Sequence, residues 1–192
     1  MPIKSTFVSF LTTDPAFKAI NFKFLAYKVY PEGYARDIAG CIASGGISIK
    51  QRFSDLGFKD TGGSYFASND SYSLSAKFSL TTNYEKIIIA HESTHALQDY
   101  QRLGKVPVPE AEAVAYLAEA LFVRANGWLP IKDLATGSPD PIRAAADTAA
   151  AAVLAGAYNV PGALASAIIA EVKRSAHYGP KATSFMDFDG IG

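Results

Sequence analysis

The stretch Asn83–Gln101, NYEKIIIAHESTHALQDYQ, constrains the fold of this chain more than any other. Ile87, Ile88, Ala90 and Leu97 form a broad apolar stripe at helical spacing, and Gly104 is a natural stop beyond it. The predicted helix runs from Tyr84 to about Arg102. Burying its stripe brings His91 and His95 to the edge of the interior. Residues four apart lie on one helix face, one turn from each other, so the two imidazoles project side by side. Glu92 follows the first histidine and points about 100° round the helix.

Two imidazole nitrogens so placed reach one zinc ion at ~2.0–2.1 Å. Glu92 then stands beside the ion rather than on it, where a general base belongs. Zinc lowers the pKa of its water to roughly 7, so the pattern predicts hydrolysis by metal-activated water. Hydrolytic zinc usually has three protein ligands and an open position. His177 is the remaining histidine and lies far downstream. The next helix is a nearer source. Val106–Pro109, VPVP, is an extended link, and Pro109 starts a helix reaching about Ala125, stopped by Asn126 and Gly127. So short a link predicts antiparallel neighbours, and Ala111, Ala113 and Ala115 let the backbones approach.

Three glutamates on that second helix compete for the third position. Glu110 sits in the first turn, where the helix dipole favours any acid, and its stripe continues through Val114, Leu117 and Leu121. Glu112 shares a face with Ala115, Tyr116 and Glu119. A carboxylate buried there needs a cation to offset its desolvation. Glu112 is therefore preferred, with Glu119 the alternative. If Glu112 binds the ion, Glu119, two turns on, either supports the site or is solvated. Asp99, four residues after His95, is either an acceptor for an imidazole N–H or a solvated helix-end acid. His177 with Tyr178, or Tyr100, could stabilise an oxyanion; the plainer role for His177 is a dipole-favoured helix C-terminus.

Around this pair the pattern changes along the chain. Residues 1–82 are rich in aromatics and strand-like runs, residues 83–126 carry the two helices, and residues 139–178 form an Ala-rich helical tail. IKSTFVSFL reads as a strand, DPAFKAI as a helix and NFKFLAYKVY as a strand. EGYARDIAGCIAS reads as a short helix closed by Gly45 and Gly46, with ISIKQRF a strand after it. SYSLSAKFSL alternates strictly, with Tyr72, Leu74, Ala76, Phe78 and Leu80 on one face and serines with Lys77 on the other. Asn69 and Asp70 before it suggest a hairpin turn, and one wet face suggests an antiparallel or edge position. Gly127–Pro141 reads as loop, followed by helices from Pro141 to about Tyr158 and from Gly162 to about His177.

Bulk properties narrow the function. The 192 residues are 49% hydrophobic with zero formal net charge, which suits a single α+β domain whose helices follow its strands. No basic excess or stripe points to nucleic acid. Cys41 is the only cysteine, which excludes an internal disulfide and a cysteine-based zinc site. The tail is interrupted by Asp147, Asn159 and Pro161–Gly162, so it offers no uninterrupted span of ~20 apolar residues. MPIKSTFVSFL lacks the apolar core and cleavage site of a secretory signal, so a cytoplasmic location is the default and leaderless secretion the alternative.

HESTH followed by a glutamate-bearing helix resembles the zincin metallopeptidases of the glutamate-ligand (gluzincin) kind. EAEAVAYLAEAL is similar to the E-A-N-x-F-A-A-x-L-L helix of the short bacterial and phage metallopeptidases that cleave repressors and control stress responses. By that resemblance Glu112 aligns with the third zinc ligand, Tyr116 with the aromatic and Leu121 with a core leucine. Val114 and Leu117 depart from the asparagine and alanine the family often has. The likeness covers about Tyr84–Phe122. It implies a small, mostly antiparallel sheet above the metal helix, whose edge strand binds peptide backbone. SYSLSAKFSL, with Ser73, Ser75 and Lys77 on its polar face, is the expected edge. The expectation is thus a zinc-dependent peptidase acting on peptide or protein substrates. Its rivals are a leaderless effector or toxin protease with the same chemistry, and a non-catalytic binding module stapled by zinc. Oligomeric state leaves no mark in the sequence.

Overall fold

A computed structural model describes residues 3–52, 62–128 and 140–192. Its architecture is α+β and mostly helical, with small sheets set around a helical centre. The amino-terminal helix α1 (Ile3–Thr13) leads through a 3-10 turn at Pro15–Ala19 to a hairpin of β1 (Phe22–Phe24) and β2 (Tyr27–Val29). A π-helical turn, Gly33–Ile38, runs directly into α2 (Ala39–Ser44), which Gly45 closes with a φ of 96°. Strands β3 (Ser48–Arg52), β4 (Gly63–Phe66) and β5 (Ser71–Ser75) precede the long helix α3 (Asn83–Tyr100). Strand β6 (Gly104–Pro107) connects α3 to α4 (Val108–Ala125). Helices α5 (Pro141–Leu154) and α6 (Gly162–Arg174) follow, and β7 (Phe185–Phe188) returns to pair with β6.

Two expectations for the first 82 residues are corrected. IKSTFVSFL is helical, not extended, despite its β-branched and aromatic content. Ile3, Phe7, Phe10 and Leu11 recur at helical spacing and all pack into the core, so tertiary burial overrides strand propensity. SYSLSAKFSL is a strand only to Ser75; Ala76 and Lys77 form a turn. Nor is β5 an edge. The sheet order is β3-β5-β4, with β3 parallel and β4 antiparallel to it, so the sheet is mixed and β5 is paired on both sides. Ser71 and Ser73 are buried, which removes the wet face that alternation suggested. Ser73, Ser75 and Lys77 therefore do not lie on an edge; among the described residues the outer strands are β3 and β4. The Asn69–Asp70 turn joins β4 to β5 as predicted, with Asp70 left-handed at φ 45°.

Helix α4 is the axis of the molecule. Fifteen of its residues are buried, from Val108 to Val123, as expected of a helix apolar on every side. Its Phe122 meets Phe10 and Phe17 at 5.8 and 5.1 Å between ring centroids, tying α1 and the 3-10 turn beneath it. Helices α5 and α6 cover another side through Ala146, Ala149, Ala150, Ala165 and Ile168, all inaccessible to solvent. Both begin where expected and end a few residues early, at Leu154 and Arg174. The loop reading for Gly127–Pro141 falls mainly on residues 129–139, outside the described residues. Among the described residues no helix is long and apolar enough to cross a membrane.

Candidate metal centre

Helix α3 starts with a reciprocal cap. Thr82 Oγ1 accepts from the Glu85 N–H, and the Glu85 carboxylate accepts from the Thr82 N–H. Its first turns carry Ile87, Ile88 and Ile89 into the core, which fixes the rotation of the helix and hence the direction of His91 and His95. The two residues between the histidine turns are anchored on the far side. Ser93 accepts from the buried Tyr72 hydroxyl at 3.0 Å, and Thr94 Oγ1 lies 2.8 Å from the Tyr34 hydroxyl. Gly33 lets the π-helical turn approach closely; a Cβ there would stand 2.6 Å from Leu97 of α3.

Helix α4 delivers Glu112 to the histidines. Glu112 Oε2 lies 3.3 Å from His91 Nε2 and 3.7 Å from His95 Nε2. One ligand atom from each of the three residues can be chosen so that all lie within 4.8 Å of one another. Two donors bound tetrahedrally at ~2.0–2.1 Å to one ion stand ~3.3 Å apart, so the spacing suits a shared metal. The three residues are 8%, 5% and 5% exposed. Glu112 Oε2 is nonetheless buried without any hydrogen-bond donor.

The outer nitrogens fix how the two rings face that oxygen. His91 Nδ1 lies 3.2 Å from Glu119 Oε2, and His95 Nδ1 lies 2.9 Å from Gln98 Oε1. Each acceptor anchors one Nδ1, so both rings turn their Nε2 atoms toward Glu112. The two Nε2 atoms and one carboxylate oxygen thus converge on one point. Burial disfavours a charged His91, but Glu112, Glu119 and Glu92 outweigh it and raise its pKa to about 10. Burial likewise pushes Glu112 up, and the two imidazoles overcome this and hold it well below the usual carboxylate range. For Glu119 burial is again outweighed, first by Arg143 and then by His91. Arg143 of α5 engages Glu119 with Nε 2.5 Å from Oε1 and Nη2 3.4 Å from Oε2.

Glu92 lies outside the ligand triad and faces the sheet. Its Oε2 accepts from the Tyr65 N–H on β4 at 2.7 Å. Burial raises its pKa above the ordinary value, against the opposing pull of His91, His95 and that N–H. On the other side of the cluster the Tyr116 ring stands edge-on to His91 at 4.8 Å, and its hydroxyl lies 3.4 Å from that of Tyr178. Burial and the fields of Glu112 and Glu92 push the Tyr178 hydroxyl far up, so it stays protonated and remains a donor.

Of the residues singled out in the sequence, His91, Glu92, His95, Glu112 and Glu119 come together. Glu119 is neither solvated nor beside Glu112 Oε2 but behind His91. Glu110 is elsewhere, accepting from the Tyr27 hydroxyl at 2.8 Å. Asp99 is fully buried and serves no imidazole: it accepts from the Tyr65 hydroxyl and the Gly190 N–H. His177 is exposed and packs only its ring on Tyr178, so the tyrosine and not the histidine reaches the cluster. Tyr100 is 40% exposed. Sequence reasoning missed Gln98, Arg143 and the Tyr65 N–H. Gln98 had a signal, since it lies three residues after His95 on a helix. Arg143 and Tyr65 reach the site only through tertiary packing and had none.

No protein-family model matches this chain, and neither a curated protein nor a solved structure matches it.

Proposed function

We propose that the chain is a metal-dependent hydrolase, a zinc metallopeptidase of the zincin kind that cleaves peptide bonds. One observation carries this reading: a buried carboxylate oxygen with no hydrogen-bond partner, faced by the Nε2 atoms of two imidazoles at ligand spacing. Charge agrees with it. Glu92, Glu112 and Glu119 set three carboxylates at the cluster against the single guanidinium of Arg143, and a divalent cation can take the place of the proton that His91 otherwise holds. His91, His95 and Glu112 would hold the ion, and zinc suits two nitrogens and one carboxylate.

A bound zinc ion supplies Lewis acidity at the scissile carbonyl and favours a nucleophilic water at neutral pH. The chain's own groups do the rest. Glu92 Oε2 is held by the Tyr65 N–H, which leaves Oε1 to take the proton of the attacking water and pass it to the leaving amine. Its raised pKa brings it closer to that shuttling task. Tyr178 Oη donates to the oxygen that gains charge as the carbonyl is attacked. Strand β4, the sheet edge beside α3, is where an extended peptide would pair its backbone.

Purified protein should hold about one zinc ion per chain, matching one triad of donors. Glu92→Gln should keep the ion and lose ~10²-fold or more in peptide hydrolysis. Glu112→Ala should lose the ion. Full activity in Glu92→Gln overturns the role of Glu92. A second reading, an ion that only staples α3 to α4, draws on the near-complete burial of the ligands. Stoichiometric zinc in a wild-type protein with no turnover of a broad peptide library selects that reading instead.

A further inference from the structure

We propose that Arg143, on the Ala-rich helix α5, is a positioning residue for the metal centre: it fixes His91 from two sides and thereby sets the affinity and geometry of divalent-ion binding. This rests on the reading of His91, His95 and Glu112 as the ligands.

The first side runs through Glu119. Arg143 spans both Glu119 oxygens, and Glu119 Oε2 in turn meets His91 Nδ1 at 3.2 Å. The second side runs through Tyr116. The guanidinium carbon lies 5.3 Å above the centre of that ring, and the ring stands against the His91 imidazole. Arg143 is itself aimed by the start of α5. Asp140 caps the helix by accepting from the Ile142 and Arg143 N–H groups, and its other oxygen takes Nη1 at 2.7 Å. Glu119 is itself buried, held between Arg143 and His91. Without the guanidinium the Glu119 carboxylate loses the fork that fixes its orientation. His91 then loses its fixed acceptor, and with it the orientation that presents Nε2 to the ion.

A second ion pair joins the same two helices and serves as the internal control. Arg124 binds Asp147 with contacts of 2.5 and 2.7 Å, in a more exposed position and without touching a ligand or its partner. Both pairs tie α4 to α5, and one of them reaches the centre.

The experiment is a Co2+ titration of ion-depleted full-length protein, read as dissociation constant and visible absorption band, with melting temperature recorded for each variant. Arg143→Met is expected to weaken Co2+ binding ~10–100-fold and to shift the band. Arg143→Lys should restore part of the affinity, since an ammonium supplies charge but not the planar fork across both oxygens. Arg124→Met should leave affinity and band at wild-type values even where it lowers the melting temperature. Wild-type affinity and band in Arg143→Met overturn the proposal, as does an equal loss in Arg124→Met. Should Arg143→Met fail to fold, Glu119→Gln is titrated in its place; unchanged affinity there is equally fatal. A wild-type protein that binds no Co2+ at all removes the ligand assignment itself, a failure distinct from a wild type that binds and an Arg143→Met that binds as well.

Discussion

The aromatic side and the Ala-rich side of the molecule each bury a carboxylate, and they treat it differently. On the sheet side Asp99 is met by neutral donors, the Tyr65 hydroxyl and the Gly190 N–H, and burial still pushes its pKa up. On the tail side Glu119 is met by Arg143, and its pKa falls. The two neutral hydrogen bonds only partly offset the desolvation of Asp99, whereas the guanidinium, with His91, outweighs that of Glu119. Helix α3 is therefore gripped by two kinds of support. Tyr34, Tyr72 and Tyr65 hold it through hydroxyls and a backbone amide, whereas α4 and α5 hold its histidines through charge.

That contrast can be broken from either side. The largest effect on stability should come from Phe17→Ala, which opens the aromatic cluster of Phe10, Tyr34 and Phe122. A loss of ~3–5 kcal/mol is expected in denaturant unfolding of the ion-free protein, with little change between pH 6.5 and pH 8.5. Next comes acid acting on the charged side. The ion must displace the proton that His91 holds up to about pH 10 in the ion-free state. Apparent zinc affinity should therefore fall about tenfold per pH unit as the pH drops, ~100-fold between pH 8.5 and pH 6.5, measured by chelator competition. The sign for the ion-free fold is opposite: the raised pKa of His91 gives stability that is full below its unfolded value near 6.5 and is lost as pH climbs toward 10. A flat affinity profile would remove the charged grip from the comparison.

Two smaller tests sharpen it. Tyr65→Phe deletes a donor to buried Asp99 and should cost ~1–3 kcal/mol while leaving zinc affinity in place, because the Tyr65 N–H still holds Glu92. Thr82→Ala removes the cap of α3 and should cost ~1 kcal/mol by thermal unfolding, again without loss of the ion.

The residues that carry the proposed chemistry were legible because they are local and periodic. His91, Glu92 and His95 fall on one strongly patterned helix, and the short VPVP link placed Glu112 against them. What surrounds them was decided by packing that no local pattern records. Strict alternation in SYSLSAKFSL looked like an edge strand, yet β3 pairs in parallel on its other side, and Ser71 and Ser73 are buried. IKSTFVSFL could satisfy either a strand or a helix, and the core selected the helix. Strand β7 carries no strong periodicity of its own and is defined by its antiparallel pairing with β6.

That last pairing has a consequence for how small the centre could be made. A peptide spanning residues 83–126 would contain every proposed ligand, Glu119 and Gln98. It would lack β7, which clamps the hinge between α3 and α4 through Met186 opposite Val106, and Phe188, which lies over the His95 ring. Such an excised unit should collect the ion loosely and with variable geometry. Residues remote in sequence on both sides of that stretch are what would turn a local coincidence of donors into a rigid receptor.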